Sequence, residues 1–185
     1  MMDENKHSYA GDSMRRVEDE EMITGAGCYT DDLQFPEMTH LHFVRSPYPH
    51  AKIKKMDLSA AMESEGVLAI YTADDLIRDG VNPYPIPGPP GDFVTQEILD
   101  RGYRNGNGEP MDPPRWLALA KDEVRYVGQP VVAILAESAE NALTASELVE
   151  VDYEELASVG TIQDAEKESA PAIWKGAPGN LLIQM

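Results

Sequence analysis

Between residues 80 and 114 the chain places eight prolines and six glycines in 35 positions, and this stretch limits every fold open to it. Proline has no N–H to give to a ladder, and its ring clashes with a preceding helical turn. A run such as PYPIPGPPGD therefore serves neither as a central strand nor as a helix. Regular structure must come from the two blocks on either side. A structureless connection of this length inside a compact domain is ordinarily functional or disordered.

The flanking blocks have the opposite texture. Residues 39–44 (THLHFV) put Leu41 and Phe43 on one strand face and His40 and His42 on the other. Residues 51–58 alternate Ile53 and Met56 with lysines, and residues 67–71 (VLAIY) and 131–136 read as buried strands. Residues 28–30, 116–120, 124–127 and 149–153 are further strand candidates. Ser59 and Thr72 are placed to cap short helices, with Asp74 and Asp75 in the first turn of the second. The strongest helical pattern covers residues 138–148, capped by Ser138, with Ala142, Ala145, Leu148 and Val149 on one side. Residues 161–168 suit one more short helix. The pattern predicts an α+β fold: a mixed sheet, short helices and a long Pro/Gly-rich loop. Its organisation is a flexible lead-in (1–20), a folded domain (21–157, loop at 80–114) and a linker (158–185). The apolar ending GNLLIQM reads as a cut end, with residues 181–183 expected to meet an interface or a following domain.

Thirty-three acidic residues against 15 basic ones give a net charge of −18, which repels phosphate backbones and anionic lipid. That argues against nucleic acid and membrane surfaces as partners. The acidity fits either a well-solvated surface or adaptation to high salt. The apolar run 131–136 is far shorter than the roughly 20 residues that span a bilayer, and no apolar leader is visible near the N-terminus. A single cysteine, Cys28, leaves no internal disulfide, four-cysteine zinc site or self-ligated iron–sulfur cluster, and suits a reducing cytoplasm.

Each candidate for chemistry has a plainer explanation. His40, His42 and His50 lack a third metal ligand at a suitable spacing, so the first two read as solvent-facing strand residues. Cys28 has no evident base and reads as a buried small hydrophobe. Asp31–Asp32 and Asp74–Asp75 sit where capping carboxylates belong. Gly102, Gly106 and Gly108 lack the spacing and context of a phosphate loop, and no nucleophile elbow or dinucleotide fingerprint occurs.

Four strings, in order, carry a resemblance: RRVEDEEMITGAGCYTDDL, HLHFVRSPYPHAKIKKMDLSAA, GVLAIYTADDL and LAKDEVRYVGQPVVAILAESAENALTASELVEVDYEEL. Together they resemble the N-terminal α/β-hammerhead domain of molybdenum hydroxylase large subunits: xanthine dehydrogenases, aldehyde oxidoreductases and aerobic carbon monoxide dehydrogenases. Matching positions include Arg16, Gly25, Gly27, Asp31, Arg45, Ser46, Pro47, His50, Gly66, Asp74, Gly128, Pro130 and Tyr153. The resemblance implies an oxidoreductase that uses molybdopterin, iron–sulfur clusters and FAD when complete. It implies no catalytic residue and no cofactor or metal ligand in this chain, which is expected to be inactive alone. The implied partners are the molybdopterin-binding domain of the same large subunit and iron–sulfur and flavin subunits or domains. It also implies that residues 105–116 approach the neighbouring domain's substrate channel, singling out Met111, Asp112, Pro113, Arg115 and Trp116. Purine, aldehyde, aromatic heterocycle and carbon monoxide all stay open as substrate. The rival reading is a free-standing module of the same fold that binds a partner through its Pro-rich loop.

Overall fold

The computed structural model describes residues 16–84, 104–105, 107–110, 112 and 114–182, which fall into two compact units, Met1–Met38 and Thr39–Met185. In the first, helix α1 (Asp19–Thr24) opens on Asp19, Glu20 and Glu21, where negative charge suits the helix dipole, and closes on Gly25 at φ 74°. The strand expected at residues 28–30 does not form. Asp32 accepts a hydrogen bond from the Tyr29 N–H at 2.8 Å and draws the chain into a 3-10 turn, Thr30–Asp32. Cys28 is exposed, which corrects the expectation of a buried thiol.

The second unit holds two three-stranded sheets, and every strand pair among the described residues is antiparallel. In one, β5 (Pro130–Ala136) lies between β1 (His40–Arg45) and β3 (Val67–Tyr71). In the other, β2 (Ala51–Asp57) lies between β4 (Glu123–Val124) and β6 (Glu150–Glu155). The α+β class stands. Central β5 is apolar on both faces because both are covered: Val132 and Ile134 join Ala51, Val124 and Ala145 in the main core, while Ala133 packs with Ala73 and Leu119.

Helix α4 (Ala139–Glu147) follows β5, with the Ser138 hydroxyl accepting from the Asn141 N–H as the spacing predicts. Ala142 and Ala145 are buried and Glu140 and Glu147 exposed, but Leu148 is 41% exposed. The helix ends at Glu147, so Leu148 leaves the stripe and Val149 packs on the core instead. His40 and His42 also depart from expectation. They face Ala136 and Ile134 across the ladder, both fully buried, and are themselves half-buried.

Shorter elements complete the unit. Ser59 lies inside α2 (Ser59–Met62) rather than capping it, and its N–H donates to Asp57 Oδ1 at 3.1 Å. Thr72 does cap α3 (Ala73–Arg78), its N–H meeting Asp75 Oδ2 at 2.8 Å. Thr161 caps α5 (Ile162–Ala165). The strand expected at residues 116–120 reduces to one bridge, Tyr84 to Trp116. Part of the Pro/Gly-rich region is tightly built: buried Asn105 accepts from the N–H groups of Asn107 and Glu109, and Arg104 bridges Pro110.

Candidate functional site

Where the chain returns from the Pro/Gly-rich region, it forms one side of an open groove of about 720 Å³. Three backbone hydrogen bonds hold that returning segment. Tyr84 N–H donates to the Trp116 carbonyl at 2.7 Å, Ala120 N–H to Pro130 at 2.8 Å, and Ile53 N–H to Asp122 at 2.9 Å. The opposite wall comes from Arg45 at the end of β1, the turn at Tyr126–Gln129, and Trp174. Gly128, at φ 86°, makes that turn possible, and its carbonyl accepts from Arg45 Nη1 at 2.9 Å.

Behind the groove lies a polar network organised by one carboxylate. Glu123 faces His50 Nε2 at 2.5 Å through Oε1 and accepts from Arg125 Nη2 at 3.1 Å through Oε2. His50 Nδ1 meets the Ala157 carbonyl at 2.6 Å; a carbonyl only accepts, so Nδ1 carries a proton. Arg125 Nε donates to the Ile173 carbonyl at 3.0 Å, and its guanidinium stacks over Trp174 at 4.0 Å. Glu123 thus ties down, through His50 and Arg125, the two ends of segment 157–173. Trp174 in turn packs against Trp116, ring centroids 6.4 Å apart, so the groove wall inherits its position from this network.

The groove's electrostatics are unusual for this chain. Arg45, Arg115, Lys121 and Arg125 line it against only Asp122 and Glu123, in a protein of net charge −18. Lys121 pairs with Asp74 at 2.8 Å, which holds its pKa above the ordinary lysine range. Beside the main core, burial pushes the Tyr153 phenol upward, partly opposed by the Ser46 hydroxyl.

Of the residues singled out from the sequence, Arg115 and Trp116 line this groove. Asp112 is exposed, and its carbonyl lies so close to Gly176 that any side chain there would collide with it. Met111 and Pro113 lie outside the described residues, as do Gly102 and Gly106. The sequence reading missed Arg45, Tyr84, Glu123, Arg125 and Trp174. At the apolar ending, Leu181 is 44% exposed and Leu182 is half-buried, lining a second cavity of about 230 Å³ with Pro114, Trp116 and Trp174; residue 183 lies outside the described residues.

Among the described residues no group of three or more His, Cys, Asp or Glu side chains converges, and His50 is occupied on both ring nitrogens. No helix among the described residues is long and apolar enough to cross a membrane.

Residues 24–102 and 90–157 match the family described as aldehyde oxidase and xanthine dehydrogenase, a/b hammerhead domain. The chain is 34% identical over 161 residues to the nicotine 6-hydroxylase large subunit of Paenarthrobacter nicotinovorans, covering 83% of this chain and 17% of that protein. It is 32% identical over 162 residues to the carbon monoxide dehydrogenase large chain of Hydrogenophaga pseudoflava, covering 88% and 17%. Among solved structures it resembles the Cu,Mo-CO dehydrogenase in its carbon monoxide reduced state, with TM-score 0.61 and 32% identity, over 85% of this chain and 17% of that one. The chain spans about one-sixth of the length of these relatives.

Proposed function

The chain belongs to the aldehyde oxidase and xanthine dehydrogenase hammerhead family, and on that premise we propose that it works as the non-catalytic N-terminal domain of a molybdopterin-dependent oxidoreductase large subunit. It packs against the molybdopterin-binding domain, and its segment at Asp112, Arg115 and Trp116 helps wall the substrate channel. The complete cytoplasmic enzyme draws on molybdopterin, iron–sulfur clusters and FAD held by other domains or subunits, and this chain alone turns over nothing.

The observation that carries the reading is the groove: it is lined by Trp116, Tyr84 and Tyr126, each 46–61% exposed, and the Glu123 network fixes Trp116 through Arg125 and Trp174. Exposed aromatic surface beside a fixed backbone suits an interdomain contact.

The test is to co-express the chain with the polypeptide encoded immediately downstream. Expected is a copurifying species that holds molybdenum and oxidises a purine, an aldehyde, an aromatic heterocycle or carbon monoxide. A downstream sequence with no molybdopterin-binding region, and a chain that purifies with an unrelated protein through its Pro-rich segment, would replace this reading with the free-standing module.

A further inference from the structure

Resting on that reading, we propose that the groove seats one acidic segment of the catalytic part of the large subunit. A carboxylate of that segment is held between Arg45 and Arg115, and an apolar or aromatic side chain lies over Trp116.

Charge is the first argument. Four of the chain's 15 basic residues converge on this groove while 33 acidic residues dominate the molecule, so an anionic segment meets here the attraction that the rest of the surface denies it. A second copy of this chain brings another −18 and is repelled at long range.

The division of labour among the cations is the second. Arg125 is committed to Glu123, Ile173 and Trp174, and Lys121 to Asp74. Arg45 spends one nitrogen on Gly128 and lies over Phe43 at 5.4 Å. Arg115 has no carboxylate within 4.0 Å among the described residues. Two cations are committed within the wall, and the exposed Arg45 and Arg115 line the groove beside them.

The third argument is surface and space. Tyr84, Trp116 and Tyr126 are 61%, 46% and 56% exposed, and tyrosine, tryptophan and arginine are the residues that dominate contact energies when water is excluded. A groove of about 720 Å³ takes several side chains of a docked segment. The relatives carry roughly five-sixths of their length beyond what this chain spans, which is where such a segment resides.

The test uses the assembled large subunit beside the chain alone, probed by hydroxyl-radical footprinting and by carbodiimide coupling of an Arg115→Lys variant. That variant keeps the charge and presents an amine. Expected is oxidation of Trp116, Tyr84 and Tyr126 slowed about fivefold or more on assembly, as water exclusion requires. The introduced amine should couple to an Asp or Glu of the downstream part. An Arg45→Glu/Arg115→Glu double variant should lose most of the protection, while Lys55→Glu, on the other sheet, should keep it. Unchanged oxidation, or coupling of residue 115 only within this chain, in a subunit that holds molybdenum overturns the docking proposal and leaves the family role intact. A chain that never joins a molybdenum-containing subunit overturns both.

Discussion

Replacing Glu123 with alanine should loosen the return segment and the strap beneath it together, and the size of the loss follows from the contacts. Glu123 meets His50 at 2.5 Å and Arg125 at 3.1 Å. Hydrogen bonds to charged groups contribute about 1.5–3 kcal/mol each, and a buried partner left unsatisfied adds its own desolvation cost. The His50 bond should count nearly in full, because that side chain is 5% exposed. The Arg125 bond counts for less: the guanidinium is 21% exposed and keeps Ile173, the Glu123 carbonyl and Trp174 as partners. The sum is a loss of about 2–4 kcal/mol, a drop of roughly 4–16 °C in Tm for a chain of this length. Urea unfolding should show it as a shifted midpoint at constant slope. The only two tryptophans, Trp116 and Trp174, sit at the groove, so native-state fluorescence should redden as their contact loosens. A cycle with His50→Ala should return a coupling above about 1 kcal/mol. A total loss below about 1 kcal/mol with unchanged emission would refute the idea that one carboxylate fastens both ends of the strap.

Gly66→Ala should cost about 1–2 kcal/mol or more, since residue 66 is left-handed at φ 72° and a Cβ would collide with Asn141 Nδ2; adding Asn141→Ala should recover the steric part only, read by thermal melts. Ala145→Leu should destabilise by about 1–3 kcal/mol in urea titrations because residue 145 is fully buried, whereas Leu148→Ala at 41% exposure should stay below about 1 kcal/mol. Asp75, held below the usual carboxylate range by the Thr72 hydroxyl first, then the Thr72 N–H and Arg78, contributes stability that is present above about pH 4 and lost as pH falls through its depressed folded value. The stability gap between the wild type and Asp75→Asn should therefore be constant at neutral pH and close on the acid side, as midpoints measured from about pH 6 down to about pH 2 would reveal.

The strands at 40–45, 51–57, 67–71 and 130–136 were legible because period-two alternation and apolar runs are local properties. So were the Thr72 and Ser138 caps, whose partners lie three residues away. The division into two sheets was not, because it is decided by pairings such as Ala51 with Glu155, 104 residues apart. Leu148 misled for a related reason: periodicity places a residue on a face but does not say where the helix stops. The groove was half legible. Arg115 and Trp116 stood out beside the proline-rich run, but the bond between His50 and Glu123 spans 73 residues and leaves no local trace. The histidine motif marked the position without its role, which is to carry a carbonyl and a carboxylate rather than a metal.

The bridge between Tyr84 and Trp116 has a consequence for how such a protein changes over generations. Tyr84 and Trp116, 32 residues apart in the chain, meet at one bridge, with the Tyr84 N–H on the Trp116 carbonyl at 2.7 Å. Closing a flexible loop costs entropy only logarithmically in its length, about 0.6 kcal/mol for each doubling. Changes of length between these two ends should therefore move stability by less than one ordinary core substitution. The crossing turns the stretch between its two ends into an exchangeable cassette. Drift and selection can resample the side chains it carries while the scaffold that carries it stays the same.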